Sequence, residues 1–229
     1  MNSSKIKTHI MLHIRKNIVL YLLIIFAFIT GVAAGGFTVG SISPEQRMYL
    51  ADYLQGYSYI IGNQPHVDRT IIFIKALLQN LQTAFFIWLF GLTYLSIPLV
   101  PLTVGIRGFF LGFTVAFLID YYALNGLFMV LVCILPQSFI YIPCLVVMGV
   151  LAVQFGIERF KIRKLPHLKQ MRMRRIAPYT FKFVLIIMAF FISSVFEAFV
   201  VPLVFKFLFA NMFKMKEFIA FLSKQIKWV

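Results

Sequence analysis

Three long stretches of the chain carry no charged residue, and they constrain its fold more than any other feature. Asp, Glu, Lys and Arg are all absent from Asn17 to Pro44, from Ala76 to Ile106 and from Tyr121 to Ile157. A helix that crosses a hydrocarbon core of roughly 30 Å needs about 20 apolar residues, and each stretch exceeds that length. A soluble core helix would also carry a polar stripe, which these stretches lack. We therefore predict an all-α, polytopic membrane protein.

The apolar segments predict about five transmembrane helices within a single integral membrane domain that covers residues 1–229. The predicted spans are residues 18–39, 74–97, 102–119, 127–157 and 183–205. A polar segment, 41–70, is expected outside, with a short interfacial helix after Pro44. A basic loop, 158–182, is expected in the cytoplasm, and an amphipathic tail covers 211–229.

The fourth apolar segment is too long for one straight span, and Pro136 and Pro143 interrupt it. A proline removes a backbone hydrogen-bond donor and kinks a helix. We therefore expect one kinked helix, or a helix with a half-span, rather than two complete crossings.

The positive charges predict the orientation of the chain. Four basic residues and no acidic residue precede the first span, and the segment from Arg159 to Lys182 holds nine Lys or Arg. Cytoplasmic loops carry such an excess, so the N-terminus is expected in the cytoplasm. The net charge of +15 lies mainly beside the spans, which favours anionic lipid headgroups over nucleic acid as its partner. The side of the tail stays open, because its lysines favour the cytoplasm and the count of spans favours the outside.

No catalytic, nucleotide-binding or metal-binding motif is present, and we expect neither an enzyme nor a cofactor. His9 and His13 are four residues apart, but no acidic residue or cysteine accompanies them. Cys133 and Cys144 are expected to be buried apolar thiols. Arg107 is expected within two turns of the cytoplasmic surface, with its guanidinium reaching the interface.

Glu197 is the exception, because it is expected in the outer half of the bilayer, where an ionisable group points to a function. It could form a buried polar latch with Gln137, Ser138 or Tyr141 near the break in span four. It could instead serve a proton or ion relay. Arg107 is a less suitable partner, since it is expected nearer the opposite face.

Small residues recur at four-residue spacing in two of the spans. Gly31 and Gly35 form such a pair in span one, and Gly108 and Gly112 form another in span three. Small residues at this spacing let two helices approach closely, so these glycines are candidate helix-packing faces. For span one the alternative is that its glycines only make a thin, flexible helix end.

Four segments together resemble the stage II sporulation protein M family. They are NLQTAFFIWLFGLTYLSIP (Asn80 to Pro98), PLVPLTVGIRGFFLGF (Pro98 to Phe113), LPQSFIYIP (Leu135 to Pro143) and SSVFEAFVVP (Ser193 to Pro202). Their order and the five-span layout match the family across almost the whole chain. Some members outside spore formers carry His where Gln137 or Ser138 stands, so the sequence here is closer to the sporulation branch.

The resemblance implies a multi-pass protein of the mother-cell membrane, at the septum and the engulfing front around the forespore. It implies that the protein holds two peptidoglycan hydrolases, stage II sporulation proteins D and P, in one complex without cutting the cell wall itself. A transporter or permease component that uses Glu197 in a polar pathway is the alternative. Self-association of the chain is left open.

Overall fold

The computed structural model describes residues 11–12, 14–63, 69–163, 176–195 and 198–199. Almost all of these residues are helical, and no strand occurs among them. The described helices are α1 (Ile18–Gly40), α2 (Pro44–Asn63), α3 (Arg69–Leu92), α4 (Ser96–Tyr122), α5 (Leu124–Met129), a π-helical segment (Val130–Ile134), α6 (Leu135–Arg163) and α7 (Ile176–Val195).

Five helices in the described part of the chain are long and apolar enough to cross a membrane. They are α1, α3, α4, the continuous helical run Leu124–Phe160 and α7. The prediction of an all-α protein with about five transmembrane helices is confirmed.

The fourth span is irregular at Val130–Ile134, where the helix widens into a π-helical turn. The amide of Leu135 donates to the carbonyl of Val130, five residues earlier. Pro136 follows immediately, and a proline ring clashes with the carbonyl four residues before it in an α-helix. The wider turn relieves that clash. Pro143 lies inside α6.

The turn between the second and third spans lies earlier than the sequence predicted. α3 ends at Leu92, and α4 begins at Ser96 rather than at residue 102. Pro98 therefore falls in the first turn of α4, where a helix needs no backbone donor. The proline marks a helix start, and the prediction had placed it at the end of the preceding span.

The core lies where the second half of α6 meets α1, α3, α4 and α7. Leu145, Met148, Val150 and Val153 of α6 are fully buried there. Ile24 of α1 packs against them, and other members of this core come from the three remaining helices. The outward faces of the spanning helices carry exposed apolar side chains, as a lipid-facing surface requires.

The α2 helix begins with a capping box at Ser43-Pro44-Glu45-Gln46. The Gln46 amide donates to the Ser43 hydroxyl oxygen, and the Ser43 amide donates to the Gln46 side-chain oxygen, both at 3.3 Å. This reciprocal pair satisfies two amides that a helix start would leave without acceptors. Arg47, the residue after Gln46, forms an ion pair with Asp120 near the end of α4. These contacts fix α2 at one end of the helix bundle.

Candidate functional site: a polar cavity among the spanning helices

A cavity of about 760 Å³ lies between α3, α4 and α6. Its polar lining residues are Gln79, Asn80, Gln82 and Thr83 from α3, Thr103, Arg107 and Thr114 from α4, and Gln137, Ser138 and Tyr141 from α6. Phenylalanine, leucine and isoleucine side chains complete its walls. Pockets of this volume that combine apolar walls with a few convergent polar groups are typical of small-molecule sites.

Arg107 lies near the middle of α4, eleven residues after Ser96 and fifteen before Tyr122. These separations correspond to about 16 Å and about 22 Å along the helix axis. The expectation that Arg107 lies within two turns of the cytoplasmic end of its span is wrong, because α4 begins earlier than predicted and Arg107 is eleven residues from its start. Its half-buried guanidinium donates from Nη2 to the backbone carbonyl of Gln79 at 2.8 Å.

The threonine hydroxyls of the cavity donate hydrogen bonds within their own helices. Thr83, Thr103 and Thr114 each donate to the carbonyl four residues earlier in the same helix, at 2.7 to 2.9 Å. The side chains of Gln82 and Ser138, by contrast, make no hydrogen bond within the part of the chain that the structure describes. The cavity therefore presents an amide and a hydroxyl near a guanidinium.

Three of the four residues predicted for a polar latch lie in this cavity, namely Gln137, Ser138 and Tyr141. The ring of Tyr141 also stacks on Phe190 of α7, with centroids 5.2 Å apart. Glu197, the fourth, lies outside the described residues. A hydrogen bond between Glu197 and any of the three stays a prediction.

The α3 side of the cavity was not anticipated from the sequence. These residues are the uncharged Gln79, Asn80, Gln82 and Thr83, and an uncharged side chain in a span does not by itself indicate a functional site. Their spacing carried a signal: residues 79, 82 and 83 recur at three and four residues within an apolar helix. Such positions share one face of a helix.

Asn80 links the cavity to α7. Its side-chain nitrogen donates to the hydroxyl oxygen of Ser194 at 2.9 Å, and both residues are buried. The Ser194 hydroxyl then donates to the carbonyl of Phe190 at 3.0 Å. Eight residues further along α3, the Trp88 indole donates to the Thr180 hydroxyl at 3.2 Å. α3 and α7 therefore run antiparallel.

The two predicted glycine pairs face each other inside the chain. A Cβ added at Gly31 would overlap the carbonyl oxygen of Gly105, and one at Gly112 would overlap that of Val32. Gly35 and Gly108 meet backbone atoms of the opposite helix in the same way. α1 and α4 therefore pack in parallel at backbone contact. The space that a partner helix would need along these faces is taken by a helix of the same chain.

No group of three or more His, Cys, Asp or Glu residues that could hold a metal ion occurs among the described residues. All four histidines lie outside that part of the chain. Cys133 is buried in the π-helical segment and Cys144 is half-buried in α6; neither forms a disulfide.

This arrangement defines a multi-pass α-helical membrane protein with a polar cavity among its spans. The family model described as Stage II sporulation protein M matches residues 23–202, more than three quarters of the chain. The chain belongs to the stage II sporulation protein M family, as the resemblance of its four segments predicted, and is a membrane protein of sporulation. No curated protein and no solved structure matches the chain.

Proposed function

We propose that this protein is a non-catalytic membrane scaffold. It anchors and assembles the peptidoglycan hydrolases known as stage II sporulation proteins D and P at the mother-cell membrane, where that membrane engulfs the forespore. The observation that carries the proposal is the family match over residues 23–202, which covers most of the spanning bundle. The hydrolases supply the chemistry, and this chain supplies the anchorage.

The α2 helix is the surface we propose for the hydrolases. It lies at the end of the bundle that the charge distribution assigns to the outside, where the cell wall is. Met48, Tyr49 and Tyr53 project from it and are about 70% exposed. Aromatic and methionine side chains are enriched in protein interfaces. Because the capping box and the Arg47–Asp120 pair hold α2 in place, this surface is presented in one orientation.

Co-purification of the tagged protein from sporulating cells tests the proposal. We expect the native protein to recover both hydrolases, and a Met48→Ala/Tyr49→Ala/Tyr53→Ala variant to lose them at unchanged membrane abundance. A matched control replaces exposed apolar side chains of α1, as in Phe26→Ala/Ile29→Ala, and should recover both hydrolases. Absence of both hydrolases from the native sample would overturn the scaffold proposal. Full recovery by the α2 variant would overturn only the assignment of α2.

Transport is the second candidate function, and the polar cavity is the observation that favours it. Transporters place convergent polar groups near the bilayer midplane, on helices that are often irregular. The π-helical segment and the cavity meet at Ile134, and Glu197 could extend the polar path. Ion flux into proteoliposomes that is lost in a Glu197→Gln variant would favour transport. Hydrolase recovery without flux would favour the scaffold.

A further inference from the structure

The guanidinium of Arg107 lies in the cavity with no carboxylate among the described residues that line it. Its one hydrogen bond to a described residue goes to the neutral carbonyl of Gln79, so no described residue of the cavity neutralises its charge. A buried or intramembrane cation is costly unless an anion or several acceptors accompany it. The described residues that line the cavity therefore supply no anion for this cation.

The cavity opens sideways, toward the surface that the spanning helices present to lipid. Gln79, Gln82 and Thr114 line it and are also exposed, as are Ile106 and Phe110. These positions lie near the middle of α3 and α4, where an exposed side chain meets lipid or another protein rather than bulk water. A ligand that enters by this route must pass through the hydrocarbon core of the membrane.

One part of the cavity wall is polar and the other part is apolar. Arg107, Gln82 and Ser138 offer N–H and O–H donors, which suit the oxygens of a phosphate group. Phe86, Phe90 and Leu111 are among the apolar residues that line the remainder. An anionic head and an apolar body together match both kinds of wall.

We propose that this cavity binds a phosphate-bearing lipid, with the phosphate at Arg107 and an acyl chain leaving between α3 and α4. A planar guanidinium can donate to two phosphate oxygens at once, which a lysine cannot do. The lipid is held with its headgroup drawn inward from the membrane surface. The proposal is independent of the scaffold function, because it concerns the spanning helices and not α2.

Native mass spectrometry of the full-length protein in detergent tests the proposal. The probes are phosphatidylglycerol, diacylglycerol (the same apolar body without phosphate) and inorganic phosphate. We expect one phosphatidylglycerol to bind, at least tenfold more tightly than diacylglycerol, and millimolar inorganic phosphate to leave it bound. An Arg107→Gln variant should lose at least tenfold in affinity, and Arg107→Lys should recover part of it.

Two further variants keep the test decisive. Ser138→Leu removes a hydroxyl donor and narrows the cavity but leaves Arg107 in place, so it should weaken phosphatidylglycerol binding even if Arg107→Gln fails to fold. Lys75→Gln removes an exposed positive charge from α3 outside the cavity, and it should bind like the native protein.

Each contrary result overturns the proposal for a stated reason. Equal binding by native and Ser138→Leu proteins would place the lipid elsewhere. Binding of inorganic phosphate without binding of lipid would identify a soluble oxyanion as the ligand. Binding that appears only in a Glu197→Gln variant would show that the chain neutralises Arg107 with its own carboxylate. None of these results depends on recovery of the hydrolases.

Discussion

Asn80 and Ser194 join the second and fifth spans by a buried hydrogen bond of 2.9 Å, from the side-chain amide nitrogen of one to the hydroxyl oxygen of the other. Asn80 is twelve residues from the last residue of α3 and eleven from the first, so the bond lies near the middle of the spanning region. A polar group at this depth that lost its partner would face hydrocarbon or a neighbouring apolar side chain. Hydrogen bonds between spanning helices are accordingly a means of holding helices together.

We predict that Asn80 and Ser194 are energetically coupled. In a double-mutant cycle of Asn80→Ala and Ser194→Ala, the coupling free energy should be about 0.6 kcal/mol and at most about 1.7 kcal/mol, as for other hydrogen bonds between spanning helices. Unfolding by sodium dodecyl sulfate titration in mixed micelles measures it. Thr30→Ala is the control, because that hydroxyl donates only to carbonyls of its own helix. Additive effects of the two substitutions would contradict the prediction.

The α1–α4 contact predicts opposite effects for neighbouring glycines. Gly31→Ala or Gly35→Ala should lower the free energy of unfolding by about 1–3 kcal/mol, because each new Cβ would overlap backbone of α4. At Gly36 and Gly40 an added Cβ meets nothing within 4 Å. Alanine there should be neutral or stabilise the helix by up to about 1 kcal/mol.

Thermal unfolding of the four purified variants in one detergent measures these differences. The comparison of Gly35→Ala with Gly36→Ala is the sharpest, since the two positions are adjacent in the chain. Equal melting temperatures for this pair would show that α1 and α4 do not touch through their backbones.

Much of this fold follows from the sequence because charge is so costly inside a membrane. The apolar segments predicted the number of spanning helices, and Pro44 predicted the start of α2. Pro98 misled the prediction, since a proline near a helix boundary can end one helix or begin the next. Because Pro98 was assigned to the end of the second span, the predicted start of α4 was six residues too late. Arg107 was therefore predicted too near the end of its span.

The cavity was only partly predictable, and the reason is chain connectivity. Gln137, Ser138 and Tyr141 drew attention because they lie beside a proline in an apolar segment. Their neighbours on α3 and α4 are more than twenty residues away along the chain, and only helix packing brings them together. Gln82, for example, lines the same cavity as Arg107, and no local sequence pattern relates the two residues.

The ion pair between Arg47 and Asp120 predicts a local effect on α2. The two side chains are about 40% exposed, with Arg47 Nη1 and Asp120 Oδ2 2.7 Å apart. Such pairs contribute between about 0 and 1 kcal/mol, and salt weakens them. Asp120→Asn should therefore leave global stability nearly unchanged but increase proteolytic cleavage near α2.

Limited proteolysis of native and variant protein at low and high salt measures this effect. High salt should make the native protein resemble Asp120→Asn. The exchange Arg47→Asp/Asp120→Arg should restore protection, and Asp52→Asn, on the exposed face of α2, should have no effect. Unchanged cleavage in Asp120→Asn would show that the capping box alone holds α2.

The orientation of the bundle gives the last prediction. In a background with Cys133→Ala and Cys144→Ala, single cysteines replace Met48 and Leu95, which are both more than 60% exposed and lie at opposite ends of the bundle. The cytoplasmic N-terminus that the basic residues predict places α2 outside. A membrane-impermeant maleimide should then label Met48→Cys on intact cells, and Leu95→Cys only after permeabilisation. The reverse pattern would contradict the predicted orientation, and with it the surface proposed for the hydrolases.

The same reagent applied to Lys227→Cys decides between the two sides left open for the tail. Labelling on intact cells follows from five crossings, whereas protection would mean that the lysines return the tail to the cytoplasm.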